Sequence, residues 1–498
     1  MHNAKRETRN AKRRTLHQYT FNMKTPTIYL LFFVVSGAFC AGLSGQGTSF
    51  TFHPVDLGFP GIHCVKVFDL DLDGDPDLIG GSEHTPWSTS VGLMWWRNDG
   101  GNPLQWTKFV IDPGFLHVMS VDVNYLDNDN FPDIVASSWE NGKISWWKNS
   151  GNPETGWTSY DIVTGWINPH DAVCHDIDSD GDMDVIGAGA GNNRISVFKN
   201  HGGAVPVWQE EVVTSGFAGG KSVVAEDLDG DSLPDLVAAG DVCDDIAWWK
   251  NHGGNPIIWQ KKFITTNFTG AGGLDIADMN YDGQPDVLGS AWEGNEVSFW
   301  ICNDITANSW TKNMVTNQLD TVSGAIASDI DMDGDMDIIA VAKIPGELVI
   351  FINENGNFEK ETLYPAFFGG SALSVSDIDQ DGDDDIVAGA GVLQELWWFE
   401  NNTIKVGFES DISKGETIEI RPNPSAGNFT AALPGGAEPV LSVRLLNFSG
   451  TREHLVQFTA EGHLIQIRAE GLTPGLYFLE IVTRQTTTIT KVIICKNQ

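Results

Sequence analysis

An aspartate-rich loop that returns about every fifty residues constrains this chain more than any other feature. Its first copy reads Asp69-Leu-Asp71-Leu-Asp73-Gly74-Asp75-Pro-Asp77. The same spacing recurs at Asp176, Asp178, Asp180 and Asp184, and at Asp227, Asp229, Asp231 and Asp235. It recurs again at Asp278, Asn280, Asp282 and Asp286, at Asp329, Asp331, Asp333 and Asp337, and at Asp377, Asp379, Asp381 and Asp385. A seventh copy keeps Asp127, Asp129 and Asp133 but has Tyr125 where the first aspartate belongs. Asp122 and Asn124 are expected to stand in for it through a bulge. The last aspartates advance by 56, 51, 51, 51, 51 and 48 residues. Trp96, Trp147, Phe198, Trp249, Trp300 and Phe351 keep the 51-residue step, as do Trp106, Trp157, Trp208, Trp259 and Trp310. Seven units of this length, built from short strands and turns, make an all-β, seven-bladed propeller with four strands per blade.

The strands can be placed within one unit. Val65-Lys66-Val67-Phe68 leads into the loop, Leu78-Ile79-Gly80 leaves it, Leu93-Met94-Trp95-Trp96 forms the third strand, and a fourth runs from Trp106 to Ile111. Such β-branched and aromatic runs suit a pleated, half-buried surface. The periodic aromatics are expected to pack between neighbouring blades. The last unit lacks a fourth strand after Trp397-Trp398-Phe399. Ser49-Phe50-Thr51-Phe52-His53-Pro54-Val55 precedes the first unit and is predicted to supply it, closing the ring and hiding two sheet edges.

Alternating aspartates followed by glycine turn several carboxylates toward one point. Calcium takes six to eight oxygen ligands in flexible geometry, whereas magnesium wants a stricter shell with more water. Like charges about 4 Å apart repel by about 4 kcal/mol at an effective dielectric near 20, so four in one turn call for a cation. The loops are therefore expected to hold several structural calcium ions, each joining the first two strands of a blade. Affinity on the order of 10⁻⁴–10⁻³ M would match extracellular modules. A helical EF-hand is excluded, because its twelfth-position glutamate is replaced here by Gly80, Gly187, Gly289 or Ala340.

These repeats resemble the FG-GAP/VCBS family, whose calcium-loop propellers occur in integrin α-subunit heads and many bacterial surface proteins. The resemblance spans roughly residues 50–403. The loop at 227–235 departs from it in having Ser232 for glycine, and the loop at 125–133 in lacking its first aspartate.

The two ends of the chain speak of export. Lys5, Arg6, Arg9, Lys12, Arg13, Arg14 and Lys24 precede an apolar run from Ile28 to Phe39, followed by small residues. That order reads as a secretory signal peptide over 1–46, with Met23 an alternative start. Residues 47–403 are assigned to the propeller, 404–415 to a linker and 416–498 to a small β-sandwich. The last resembles the type IX secretion C-terminal sorting domain in its Pro422-Asn423-Pro424-Ser425 start, Gly475-Leu476-Tyr477 strand and closing Lys491-Val492-Ile493-Ile494. The resemblance implies engagement with the secretion machinery and a secreted or outer-membrane-surface location. With 67 acidic against 30 basic residues, net −37, the chain repels nucleic acid. Six cysteines without CxxC spacing argue against a disulfide framework or zinc site.

Strand direction puts the aspartate loops at one end of the ring. Six residues before the first loop aspartate, hence at the opposite end, lie His63, His170 and Lys221, with His117 close to the same place in the irregular unit; Gly272, Ser323 and Ser371 fill the other units. Trp139-Glu140 and Trp292-Glu293 are equivalent pairs beside them, and His84, Trp87, Arg194 and Trp166 are further candidates. Aromatic and polar groups at a channel mouth suit sugars. No GxSxG, HExxH or phosphate-cradling motif occurs. Two readings follow: a monomeric binding or adhesion module for glycan or protein, and a carbohydrate-active enzyme such as a polysaccharide lyase, with histidine and lysine as base and charge neutraliser.

Overall fold

The computed structural model describes residues 48–83 and 91–403 and, beyond these, the strands between Glu419 and Ile494. The leader, the linker, His84, Trp87 and the Pro422–Ser425 motif lie outside the described residues.

Seven four-stranded antiparallel sheets form the blades. In blade 1 the strands run, inner to outer, Ile62–Phe68, Asp77–Ser82, Leu93–Asn98 and Trp106–Asp112. Blades 2 to 7 repeat the order, with inner strands Val118–Asn124, Pro169–His175, Gly220–Glu226, Ala271–Ala277, Val322–Ser328 and Gly370–Ser376. Each second strand is buried along its whole length, as a strand covered on both faces must be. Each outer strand mixes exposed and half-buried residues with none fully buried, as in Trp208–Thr214.

The ring closes as its sequence requires. Phe50–Asp56 is the outer strand of blade 7 and pairs antiparallel with Glu395–Asn401, Phe52 opposite Phe399 and His53 opposite Trp398. His53 also stacks on Trp398 at 4.5 Å and reaches Glu400 at 2.6 Å. The two ends of the propeller thus share one sheet.

Seven apolar clusters hold the blades together, one at each interface. Successive residues of a strand point to opposite faces, so the paired third-strand aromatics serve two interfaces. Trp96 packs toward blade 7 with Ile62 and Val387, while Trp95 packs toward blade 2 with Val118 and Trp147. A second aromatic, just before the inner strand in every blade but blade 6, where Leu319 stands, meets the third-strand ring. Phe59 meets Trp96 at 5.0 Å and 88°, Phe115 meets Trp147 at 4.6 Å and 82°, and Phe217 meets Trp249 at 5.2 Å and 86°. Trp166 holds this position in blade 3, 5.5 Å from Phe198 and 5% exposed. It is a core residue, not the ligand contact expected from the sequence. The edge-on geometry sets the positive ring edge against the negative face.

The C-terminal region contains two four-stranded antiparallel sheets. One orders Glu419–Arg421, Asn428–Ala432, Leu464–Arg468 and Gln457–Glu461; the other Arg452–Leu455, Ser442–Leu446, Gly475–Val482 and Thr487–Ile494. Ile465 and Ile467 are buried while Gln466 and Arg468 are exposed, the alternation of a sheet with one apolar face.

Candidate functional site

The two ends of the blades are built differently. At one end, each inner strand turns into the second through an aspartate loop. The last aspartate of every loop opens the second strand and is fully buried. In blade 1, Asp77 accepts the Leu70 N–H at 3.0 Å and the Asn98 N–H at 2.8 Å. Equivalent pairs of bonds tie down Asp133, Asp184, Asp286, Asp337 and Asp385. Asp235 keeps only the Asn251 N–H, at 2.7 Å, and its Oδ2 has no hydrogen-bond partner. Burial pushes these carboxyls up, to about 7 for Asp77, Asp184, Asp235 and Asp385. A nearby cation would oppose that shift.

The asparagine that ends the third strand is a structural residue that the sequence reading missed. Asn251 is 1% exposed and donates from Nδ2 to Pro234 O in its own blade and to Ile177 O in blade 3, both at 3.0 Å. Asn200 bridges to Leu126 at 2.7 Å and Asn401 to Ile330 at 2.8 Å. Each latch joins one aspartate loop to the next. The 51-residue step from Asn98 through Asn149 and Asn200 to Asn251 was the available signal.

The earlier loop aspartates fit a cation. Carboxylate oxygens of Asp69, Asp71 and Asp77 lie within 4.8 Å of one another. So do those of Asp176, Asp178 and Asp184, of Asp227, Asp229 and Asp231, of Asp329, Asp331 and Asp333, and of Asp377, Asp379 and Asp385. Buried oxygens of Asp69, Asp178, Asp229 and Asp377 have no hydrogen-bond partner. Unsatisfied buried carboxylate oxygens are costly, and a metal ion supplies what they lack. Several loops can therefore hold a metal ion. The irregular loop is different. The register through Asp122, Val123 and Asn124 is regular, so the expected bulge is absent there. Asp122 instead pairs with Lys66 at 2.9 Å and accepts the Cys174 N–H at 2.8 Å, away from the loop.

At the opposite end, each inner strand begins with a β-bulge against its second strand. The bulged residues are His63, Met119, His170, Lys221, the Gly272-Gly273 pair, Ser323 and Ser371. Bulges re-aim side chains and are enriched beside functional sites. Met119, not His117, holds the equivalent place in blade 2. His117 lies two residues earlier, at a turn position with φ 56°, where blades 1, 4, 5 and 7 have glycine. A left-handed non-glycine residue carries a local cost that its surroundings must offset. His117 stacks on Trp139 at 5.9 Å.

Facing the bulges is a second ring, the residues just past each second strand. Each N–H donates to the carbonyl of a left-handed turn residue, as Trp139 does to His117 and Asp241 does to Gly219, both at 3.0 Å. This ring reads Glu83, Trp139, Ala190, Asp241, Trp292, Lys343 and Gly391. The two rings meet in blades 1 to 5. His63 Nδ1 lies 3.2 Å from Glu83, and its ring is 6.4 Å from His170. His170 lies edge-on to Trp139 at 6.1 Å. Lys221 sits 3.5 Å from Asp241 and 5.2 Å over the ring of Trp292, which is 36% exposed. Burial holds His63 below its ordinary range, and burial with the nearby Lys221 charge holds His170 well below it. The structure thus assembles His63, His117, Trp139 and His170, with Lys221 beside Trp292. Glu140 and Glu293 are exposed at its edge. Glu83, Asp241 and Lys343 were missed by the sequence reading, although the period places them at the positions of Trp139 and Trp292. Arg194 is occupied by Glu210 at 2.9 Å.

Residues 125–186, 176–238, 227–289 and 299–388 match the FG-GAP-like repeat, and residues 419–495 match the secretion system C-terminal sorting domain. No curated protein matches the chain. Among solved structures, a lectin of Agrocybe aegerita, described as specifically recognising non-reducing terminal N-acetylglucosamine, is 18% identical with a TM-score of 0.46. The match covers 69% of this chain and 86% of the lectin chain. A chain from the structure of BBS1N in complex with ARL6DN is 13% identical with a TM-score of 0.46, over 70% of this chain and 95% of its own. Neither likeness bears on the ligand.

Proposed function

The chain belongs to the FG-GAP-like repeat family and ends in a type IX sorting domain that directs it to the cell surface or beyond, and from that premise we propose that it is a calcium-stapled propeller that binds a glycan at its bulged end. Residues 1–46 serve as the export leader, 47–403 as the propeller, 404–415 as the linker and 416–498 as the domain read by the secretion machinery. Calcium is the ion that fits loops of hard carboxylate oxygens with flexible spacing. In each regular loop the first, third and fifth residues offer carboxylate oxygens, or the Asn280 amide oxygen in blade 5, and the ninth adds the buried carboxylate. Bound there, calcium neutralises the loop and fixes the hairpin between inner and second strands.

One observation supports the ligand end above all: the exposed Trp292 ring is held over Lys221, beside a row of His63, His170 and Trp139. An aromatic face stacks on the apolar face of a sugar ring, while lysine and imidazole bond its hydroxyls. His63 against Glu83 and Arg194 against Glu210 are already paired. That favours a binding module over a lyase, which needs a base and a charge neutraliser free to meet substrate.

The test is a glycan array probed with the calcium-loaded protein, followed by titration of the best hit. Trp292→Ala and Lys221→Ala should each weaken binding at least tenfold with melting temperature unchanged. Full binding by both variants, or capture of no glycan, would overturn the ligand reading. β-Elimination of an acidic polysaccharide, seen as new ultraviolet absorbance, would favour the lyase.

A further inference from the structure

The seven aspartate loops are not neutralised alike, and the difference traces to one third-strand position. The residue after the aromatic pair is Arg97, Lys148, Lys199, Lys250, Ile301, Ile352 and Glu400 in blades 1 to 7. It directly precedes the latch residue, so it lies beside the aspartate loop of its own blade.

In blade 2 this side chain is inside the loop. Lys148 Nζ contacts Asp127, whose side chain is 1% exposed, and lies 2.8 Å from Asp129. Asp133 is tied to the N–H groups of Leu126 and Asn149, at 3.3 and 2.8 Å. The first aspartate is missing, as Tyr125 stands there. Two loop carboxylates therefore face one ammonium, and the third is held by peptide donors. In blade 4, Lys250 contacts Asp229 and lies 2.8 Å from Asp231, but Asp227 is retained and Asp229 Oδ1 is left without a hydrogen bond. In blade 3, Lys199 divides between Asp178 at 3.3 Å and Glu211 at 3.2 Å, and Asp178 Oδ1 is again left over. Arg97 turns away to Asp99 at 2.7 Å and to Glu154. Ile301 and Ile352 bring no charge, and Glu400 is engaged by His53.

We infer that this third-strand residue grades the cation affinity of the loops, and that in blade 2 Lys148 takes the place of the ion. A cation entering a loop that already holds an ammonium must displace it or bind against its repulsion. Blade 2 has too few carboxylates left to repay that. Blades 3 and 4 bind, but more weakly than blade 6, which has the same aspartates and no ammonium. The inference rests on the calcium reading above.

The experiment uses the exported full chain, stripped with EGTA and titrated with calcium by isothermal calorimetry, with bound ions counted by native mass spectrometry. Wild type should take up no more than six ions across seven loops. Ile352→Lys should weaken one site at least tenfold, and Lys250→Ile should strengthen one by a similar factor. Lys148→Met should keep or add to the ion count while lowering the melting temperature in EGTA. A seventh ion in wild type, an unchanged isotherm for Ile352→Lys, or an ion lost in Lys148→Met would overturn the inference and leave the calcium reading standing. Should Lys148→Met fail to fold, the wild-type count and Ile352→Lys decide alone. No calcium uptake by wild type would instead remove the calcium reading itself, and this inference with it.

Discussion

The aspartate-loop end and the bulged end are carried by the same strands, yet one repeats and the other varies. At the loop end, the buried ninth-position aspartate occurs in all seven blades and the third-strand asparagine in six, four of them (Asn149, Asn200, Asn251 and Asn401) bridging to the preceding blade, with Cys302 in the remaining one. At the bulged end the backbone repeats but the side chains change: His63, Met119, His170, Lys221, glycine and serine occupy equivalent places. A group that each blade needs in order to fold recurs in each blade. A group that meets an asymmetric ligand has no reason to recur. Internal repetition thus separates scaffold from candidate site within a single sequence.

This contrast can be broken in four ways. Calcium removal has the largest expected effect, because several loops act together. With a Kd on the order of 10⁻⁴ M, millimolar calcium contributes about 1.4 kcal/mol per site, so five sites should raise the melting temperature of the exported protein by roughly 5–10 °C. Differential scanning calorimetry in EGTA and in millimolar calcium measures it. Equal melting temperatures would mean that the loop end is held by hydrogen bonds alone.

The next effect separates the two kinds of loop aspartate. Asp184→Ala strands the Ile177 and Asn200 N–H donors in the core and should cost about 2–5 kcal/mol with or without calcium. Asp180→Ala removes an exposed side chain and should matter in calcium only. Urea denaturation of both variants in both media gives the comparison, and equal losses for the two would erase the distinction.

Asn251→Ala tests the latch between blades 3 and 4. It leaves the Ile177 and Pro234 carbonyls unpaired and should cost about 1–3 kcal/mol. Amide hydrogen exchange should rise in both neighbouring loops; faster exchange confined to blade 4 would show that the latch does not couple blades.

The smallest stability change belongs to the bulged end. Trp292→Ala and Lys221→Ala should shift stability by about 0.5 kcal/mol or less, as surface substitutions do, while removing ligand binding. A loss of several kcal/mol in chemical denaturation would make these residues part of the scaffold.

Much of this architecture was legible in the chain itself. The period, the seven blades, the loop carboxylates and the closing strand at Phe50–Asp56 are local patterns, and repetition made each one visible several times. The C-terminal export signal is likewise local. What only the tertiary structure decided concerns partners distant in sequence. The bulge register, one residue of slip in an antiparallel ladder, put Met119 rather than His117 in the ring of bulged residues. The interface between blades 2 and 3 drew Trp166 into the core. Ion pairing across the inner strands took Asp122 to Lys66. Lys148 reaches a loop about twenty residues back because the second and third strands lie side by side. A repeat determines which residues share a position; cross-strand pairing and burial determine which of them meet.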